Sequence, residues 1–138
     1  MQRHPAELTH AWFAQAERDL DSAKALVAAT RYEAACFHAQ QSVANALKGL
    51  LVWLHGDRPR THEIERLVAE VELAGEDIGT LSELAALDPY YVTTRYPDAV
   101  GGGVPGHKFF LAEAEAAIAR AERGLTWIRA RLPESREP

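Results

Sequence analysis

Apolar residues recur at spacings of three and four along most of the chain, which is the repeat of amphipathic α-helices. Glycine and proline concentrate at a few points between these stretches and mark the helix ends. The pattern predicts helices over about residues 6–29, 32–55, 61–75, 80–89 and 108–132. The 138 residues fit one domain, 1–138, of the all-α class. We expect an up-and-down bundle of about five helices, with residues 133–138 as a frayed tail.

The second predicted helix differs from an ordinary surface helix. Between Ala34 and Leu54, Lys48 is the only formally charged side chain. A helix with one face in water would carry a row of charged residues on that face. We therefore expect this helix to be covered on most sides, either at the centre of the bundle or in a subunit interface.

Four polar residues on this helix, His38, Gln41, Asn45 and Lys48, are separated by three, four and three positions. They lie opposite the apolar residues and form one polar seam. Such a seam is either a half-solvated face whose groups bond to one another, or a wall of a ligand groove or dimer contact. Both interpretations remain open.

Two helix starts carry capping signals. Thr61 is a plausible N-cap, and Glu63 and Glu65 suit the positive end of the helix dipole that follows. Thr80 and Glu83 have the spacing of a capping box and predict the start of a fourth, shorter helix.

Residues 90–107 contain two prolines and four glycines, which exclude a continuous helix. A connection of this length is unusual inside a compact helical domain, and such loops often carry function. The segment is therefore predicted to be an irregular functional loop.

Arg95 is the most informative residue of this segment, because Tyr91 and Tyr96 flank it and Asp98 follows. An arginine offers a planar fork of donors for phosphate or carboxylate, and aromatic rings stack on bases. In the alternative interpretation, Arg95 pairs with an acidic side chain or caps exposed carbonyls, and the tyrosines plug the end of the bundle.

Composition limits the classes of function. The formal charge of −5 argues against a protein that coats nucleic acid non-specifically, although it permits a local basic pocket. The six histidines make no metal-binding motif, and no nucleotide-binding glycine motif is present, so neither a metal nor a cofactor is predicted. A single cysteine, Cys36, and the lack of a leader or membrane-spanning segment predict a cytoplasmic protein.

Several segments share a pattern with one known family: YEAACFHAQQSV at 32–43 followed by ALKGL at 46–50, THEI at 61–64, and YY followed by TRYPDA within 90–99. With an Ala- and Glu-rich last helix, they resemble HEPN-domain proteins over roughly residues 12–132, most closely the small free-standing prokaryotic members. The resemblance implies a helical bundle that commonly forms a homodimer.

The resemblance also implies two functions. In one, the domain binds nucleotides or RNA and acts with a minimal nucleotidyltransferase, encoded as a separate chain, in a toxin–antitoxin-like pair. In the other, it is a metal-independent ribonuclease toxin that uses an arginine and a histidine separated by four to six residues.

The chain departs from this nuclease motif. Eleven residues separate Arg95 from His107. Arg31 and His38 have six residues between them, but on a helix they stand two turns, roughly 10 Å, apart. A nuclease therefore requires the loop to fold His107 back towards Arg95.

Three hypotheses remain open. The favoured one is a binding module, not an enzyme, in which Tyr91, Arg95, Tyr96, Asp98 and the polar seam hold a nucleotide, RNA or a partner's loop. The second is a ribonuclease with Arg95 and His107 as catalytic residues. The third is a purely structural oligomer with its polar seam buried at a two-fold interface.

Overall fold

The computed structural model describes residues 5–134, and over that range every regular element is helical. The α-helices are α1 Pro5–Ala28, α2 Tyr32–His55, α3 Ile64–Leu73, α4 Tyr90–Thr93 and α5 Leu111–Arg129. Three 3₁₀ helices, Gly79–Leu87, Pro97–Val100 and Pro105–Lys108, lie between α3 and α5. The predicted all-α bundle is confirmed. Most of the predicted tail, residues 135–138, lies outside the described residues.

Helices α1 and α2 form the closest pair of the bundle. The Ser42 hydroxyl on α2 donates to the Ala16 carbonyl on α1 at 2.9 Å. Gly49 allows close approach further along, since a Cβ there would lie 3.0 Å from both the Thr9 carbonyl oxygen and Trp12 Cβ. Because later residues of α2 meet earlier residues of α1, the two helices are antiparallel.

Helix α5 also runs antiparallel to α1. Two ion pairs join them: Lys24 with Glu122, at 3.3 Å between Nζ and Oε2, and Glu17 with Arg129. All four side chains are largely exposed, so we expect the pairs to fix orientation more than to add stability.

Helix α2 lies at the centre of the bundle, against α1, α3, α4 and α5. Of its residues, only Trp53 and His55 are exposed. The prediction that this helix is covered on most sides is confirmed, and packing within a single chain accounts for it.

The start of α3 is capped by a residue distant in sequence. The Asp88 carboxylate accepts hydrogen bonds from the Ile64 N–H at 2.7 Å and the Glu65 N–H at 3.0 Å. Thr61, the predicted N-cap, instead accepts from the Glu63 N–H, just before the helix begins. The prediction was wrong because a carboxylate from elsewhere in the fold satisfies the first amides of α3.

The predicted fourth helix is a 3₁₀ helix that begins at Gly79, whose N–H donates to the Asp77 carboxylate at 3.0 Å. The prediction of a capping box at this point rested on Thr80, whose side chain lies outside the described part of the structure.

Residues 90–107 are more regular than predicted. Pro97 and Pro105 each occupy the first position of a 3₁₀ helix, where the missing N–H of proline costs nothing. The three glycines at 101–103 have φ of +78°, +92° and +84°, which favour glycine and turn the chain between the two elements. The segment is therefore a folded strap of three short helices, and α5 begins at Leu111, three residues later than predicted.

Candidate functional site

Arg95 lies at the centre of a group of aromatic side chains. Its guanidinium carbon lies 4.7 Å from the ring centroid of Phe37, 4.4 Å from that of Tyr91 and 5.1 Å from that of Tyr96. Nε and Nη2 both donate to the Tyr91 carbonyl, at 2.8 and 2.6 Å. These bonds fit the alternative interpretation in which Arg95 caps a carbonyl, while its side chain remains exposed to solvent.

The ring of Tyr91 is enclosed on both faces. His62 stacks on it with a centroid separation of 3.4 Å and an interplanar angle of 6°. A ring that close fills one face, so the guanidinium of Arg95 lies over the other. Tyr91 can therefore meet a ligand through its edge and hydroxyl. Tyr96, which is 51% exposed, has the more accessible ring for stacking on a base.

The strap of residues 90–107 brings Arg95 and His107 to one cleft of about 400 Å³, here called the Arg95 cleft. Its walls come from the start of α2 and from the strap: Thr30, Arg31, Glu33, Thr94, Arg95, Val104, Pro105, Gly106 and His107. The 3₁₀ helix Pro105–Lys108 presents His107, whose N–H donates to the Val104 carbonyl at 3.0 Å. Arg95 and His107 therefore line the same cleft, although eleven residues separate them in the sequence.

Gly106 allows the strap to approach α2 closely. A Cβ at Gly106 would lie 3.2 to 3.3 Å from the carboxyl atoms of Glu33. The strap therefore packs directly on the first turn of α2. Asp98, exposed in the 3₁₀ helix Pro97–Val100, does not line the Arg95 cleft.

The predicted polar seam divides into two pairs, because residues seven apart share a face and residues three apart are rotated by about 60°. His38 and Asn45 face α1, where Asn45 Nδ2 donates to the buried Asp19 carboxylate at 2.7 Å. His38 Nδ1 lies 3.6 Å from the other Asp19 oxygen. Asn45 thus fits the interpretation of a seam of hydrogen-bonded polar groups, whereas the buried His38 Nδ1 neither accepts nor donates a hydrogen bond within residues 5–134.

Gln41 and Lys48 line a different depression, here called the cationic cleft, of about 370 Å³. It lies between α2 and the connection to α3, with walls formed by Gln41, Lys48, Arg58, Arg60, Thr61, His62 and Tyr91. Arg58 and Arg60 fall between the second and third predicted helices, and the sequence patterns indicated no function for them. The sequence did contain a signal for this cluster of cations. The connection from α2 to α3 carries two arginines, and Lys48 is the only charged residue of α2 between Ala34 and Leu54.

Like charges crowd the cationic cleft. Burial and the neighbouring Arg58 guanidinium lower the pKa of Lys48 from its usual value. Burial and Arg60 lower the pKa of Arg58, against an opposing effect of Asp57. Cations this close disfavour one another's charged forms, and a nearby anion favours them.

Two hydrogen bonds fix the wall that carries His62. The buried Gln40 donates from Nε2 to the His62 carbonyl at 2.8 Å, and its own Oε1 accepts from Gln41 Nε2 at 2.7 Å. The connection from α2 to α3 is therefore tied to the centre of the bundle.

Two other reactive side chains, Cys36 and Tyr90, are part of the core packing. Burial, with Glu113 and Glu33, raises the pKa of the Cys36 thiol to about 12, so this cysteine is a neutral core residue near neutral pH. Tyr90 donates its hydroxyl to Glu113 at 3.0 Å, and its burial is the main cause that raises its pKa. Within residues 5–134, no three His, Cys, Asp or Glu side chains gather as a metal site, and no helix is long and apolar enough to cross a membrane.

Comparison with known proteins agrees with this architecture. The sequence model of the HEPN domain family matches residues 9–131, which is nearly the whole described chain. The chain belongs to the HEPN domain family. A Methanocaldococcus jannaschii protein named "Putative toxin MJ1304" is 29% identical over 130 residues, covering 87% of this chain and 85% of the relative.

Two solved structures are similar to this HEPN protein. TT1696 from Thermus thermophilus has a TM-score of 0.84 and 34% identity, covering 90% of this chain and 98% of that one. ST0689, described as an archaeal HEPN homologue, has a TM-score of 0.75 and 32% identity, covering 96% of this chain and 100% of its own. The helical bundle and the family predicted from the sequence are both confirmed.

Proposed function

We propose that this HEPN protein is a nucleotide- or RNA-binding module that acts with a minimal nucleotidyltransferase in a toxin–antitoxin-like pair. The observation that carries the proposal is that Arg95, an exposed arginine fork that lines the Arg95 cleft, lies beside the accessible aromatic ring of Tyr96. The name of the Methanocaldococcus relative supports the toxin-like role.

The geometry suits a phosphate next to a base. Arg95 uses two of its five N–H donors on the Tyr91 carbonyl, which leaves three for a phosphate. Because Phe37 and Tyr91 hold the guanidinium in place, it loses little freedom on binding. The ring of Tyr96, whose centroid lies 5.1 Å from the Arg95 guanidinium carbon, would then offer a stacking surface beside the phosphate.

Binding tests this assignment. We expect a short fluorescent RNA and ATP to bind the wild-type protein, as measured by anisotropy and calorimetry. Tyr96→Ala should weaken RNA binding by about tenfold because it removes stacking, whereas Tyr96→Phe should keep it. Arg18→Gln, which removes an exposed charge from α1, serves as the control. Equal affinities of wild type and Tyr96→Ala would contradict the assignment.

The partner is tested separately. Expression of this chain alone should slow growth, and co-expression with a minimal nucleotidyltransferase from an adjacent gene should restore it. We expect the two chains to co-purify, and this chain alone to elute as a homodimer in size-exclusion chromatography with light scattering. A tight dimer that binds neither nucleotide nor RNA would favour a purely structural role instead.

A ribonuclease is the second candidate, because Arg95 and His107 line one cleft despite their separation in sequence. Arg95 would stabilise the negative charge that develops on the phosphate, and His107 would act as the general acid or base. Cleavage of a fluorogenic RNA that persists in EDTA, and that disappears in both Arg95→Ala and His107→Ala, would support it. Cleavage that survives in either variant would refute it.

A further inference from the structure

We propose that the cationic cleft is a second, separate binding site, which takes the terminal phosphate of a nucleotide or of a 5′-phosphorylated RNA end. Lys48, Arg58 and Arg60 line it together with His62, and no acidic side chain is part of its wall. A terminal phosphate monoester carries a charge of about −1.5 to −2 near neutral pH, against one unit for a bridging diester. The cleft therefore matches a chain end better than the middle of a strand.

The cations of the cleft lack a strong internal partner. Asp57 Oδ1 lies 3.4 Å from Arg60 Nη1, but both side chains of that ion pair are largely exposed, which makes it a weak interaction. No ion pair to Lys48 or Arg58 is formed by the residues from 5 to 134. In a chain with a formal charge of −5, a local cluster of this kind is conspicuous.

The donors are also held in position. The guanidinium of Arg58 lies 4.6 Å from the ring centroid of Trp12, and Lys48 Nζ lies 5.4 Å from it. Contact with one shared ring holds these two cations close to each other. Gln40 ties the His62 backbone to α2, so the opposite wall is fixed as well.

The two clefts share no lining residue, but one stack of side chains joins them. Tyr91 belongs to the wall of the cationic cleft, and its ring lies between His62 on this side and Arg95 of the other cleft. A terminal phosphate in the cationic cleft would therefore lie next to the surface on which we place the base and the next phosphate. The new site does not depend on that assignment, because its own cations lie outside the Arg95 cleft.

The test compares ligands that differ only in the terminal phosphate. One arm uses the same short RNA with a 5′ phosphate and with a 5′ hydroxyl, and the other uses AMP and adenosine. For at least one pair, we expect the phosphorylated ligand to bind wild type about tenfold more tightly, since charge-assisted hydrogen bonds contribute at this level. The arm that shows the difference identifies the source of the phosphate.

Variants then locate the site. Arg58→Gln and Arg60→Gln should remove the preference for the phosphorylated ligand, while Arg18→Gln should keep it, and melting curves confirm that each variant is folded. Tyr96→Ala should lower the affinity for both RNAs and leave their ratio unchanged. The proposal would be overturned if wild type showed no preference for the phosphorylated ligand, or if the preference survived in both Arg58→Gln and Arg60→Gln. It would also be overturned if these variants lost affinity equally for the phosphorylated and the unphosphorylated ligand. Failure of the Tyr96→Ala prediction alone would count against the Arg95 surface instead.

Discussion

The capping of α3 by Asp88 allows a quantitative prediction. One carboxylate accepts from both the Ile64 and the Glu65 N–H groups, at 2.7 and 3.0 Å. Loss of a side-chain N-cap typically costs about 1–2 kcal/mol, and a negative charge at a helix N-terminus contributes roughly 0.3–1 kcal/mol. Asp88→Ala should therefore lower the free energy of unfolding by about 2 kcal/mol. For a chain of this size, this corresponds to a fall in Tm of roughly 6–8 °C.

The measurement is urea and thermal unfolding followed by far-UV circular dichroism, with hydrogen exchange at the Ile64 and Glu65 amides as a local readout. Asp88→Asn should lower the free energy of unfolding by about half as much, because the amide oxygen of asparagine can still accept one hydrogen bond. Asp77→Ala is the matched control, since Asp77 makes a single local bond to the Gly79 N–H. If Asp88→Ala is no less stable than Asp77→Ala, the long-range cap does not hold α3, and the reasoning fails.

Three further predictions concern the core and the cationic cleft. Burial and Arg58 lower the pKa of Lys48 in the fold, so its charge opposes folding below that pKa, and the effect fades as pH rises towards the unfolded value. Lys48→Met should thus raise Tm at neutral pH and give a smaller gain at alkaline pH; a gain that does not depend on pH would contradict this. Cys36, with a pKa of about 12 and no exposure, should react with a thiol reagent only after unfolding, and rapid reaction of the native protein would refute its burial. Gly49→Ala should lower the free energy of unfolding in urea by about 1–3 kcal/mol, because the new Cβ would lie 3.0 Å from Trp12 Cβ. Unchanged stability would show that α1 can move away from α2 at no cost.

The parts of the fold that follow from local periodicity could be predicted from the sequence. The spacing of apolar residues located the long helices to within a few residues, and the lack of charge in α2 correctly predicted its central position. Both features depend on which face of one helix is apolar, and this information lies within a single segment.

The parts of the fold that depend on contacts between distant residues could not be predicted from the sequence. The Asp88 cap joins residues 24 positions apart, and no local pattern around Ile64 indicates it. The polar seam was predicted as one unit, but α1 takes His38 and Asn45 while the connection to α3 covers the side of Gln41 and Lys48. The Arg95 cleft and the cationic cleft are assembled from separate segments in the same way.

The central claim is that phosphate-bearing ligands bind the face formed by α2, the connection from α2 to α3, and the strap. Amide chemical-shift mapping by NMR, with a 5′-phosphorylated RNA titrated into nitrogen-labelled protein, tests this most directly. We expect shifts concentrated at residues 56–62 and 91–107, with the α1–α5 surface around the Lys24–Glu122 pair unchanged. Shifts confined to the α1–α5 surface, or no saturable shifts at all, would contradict it.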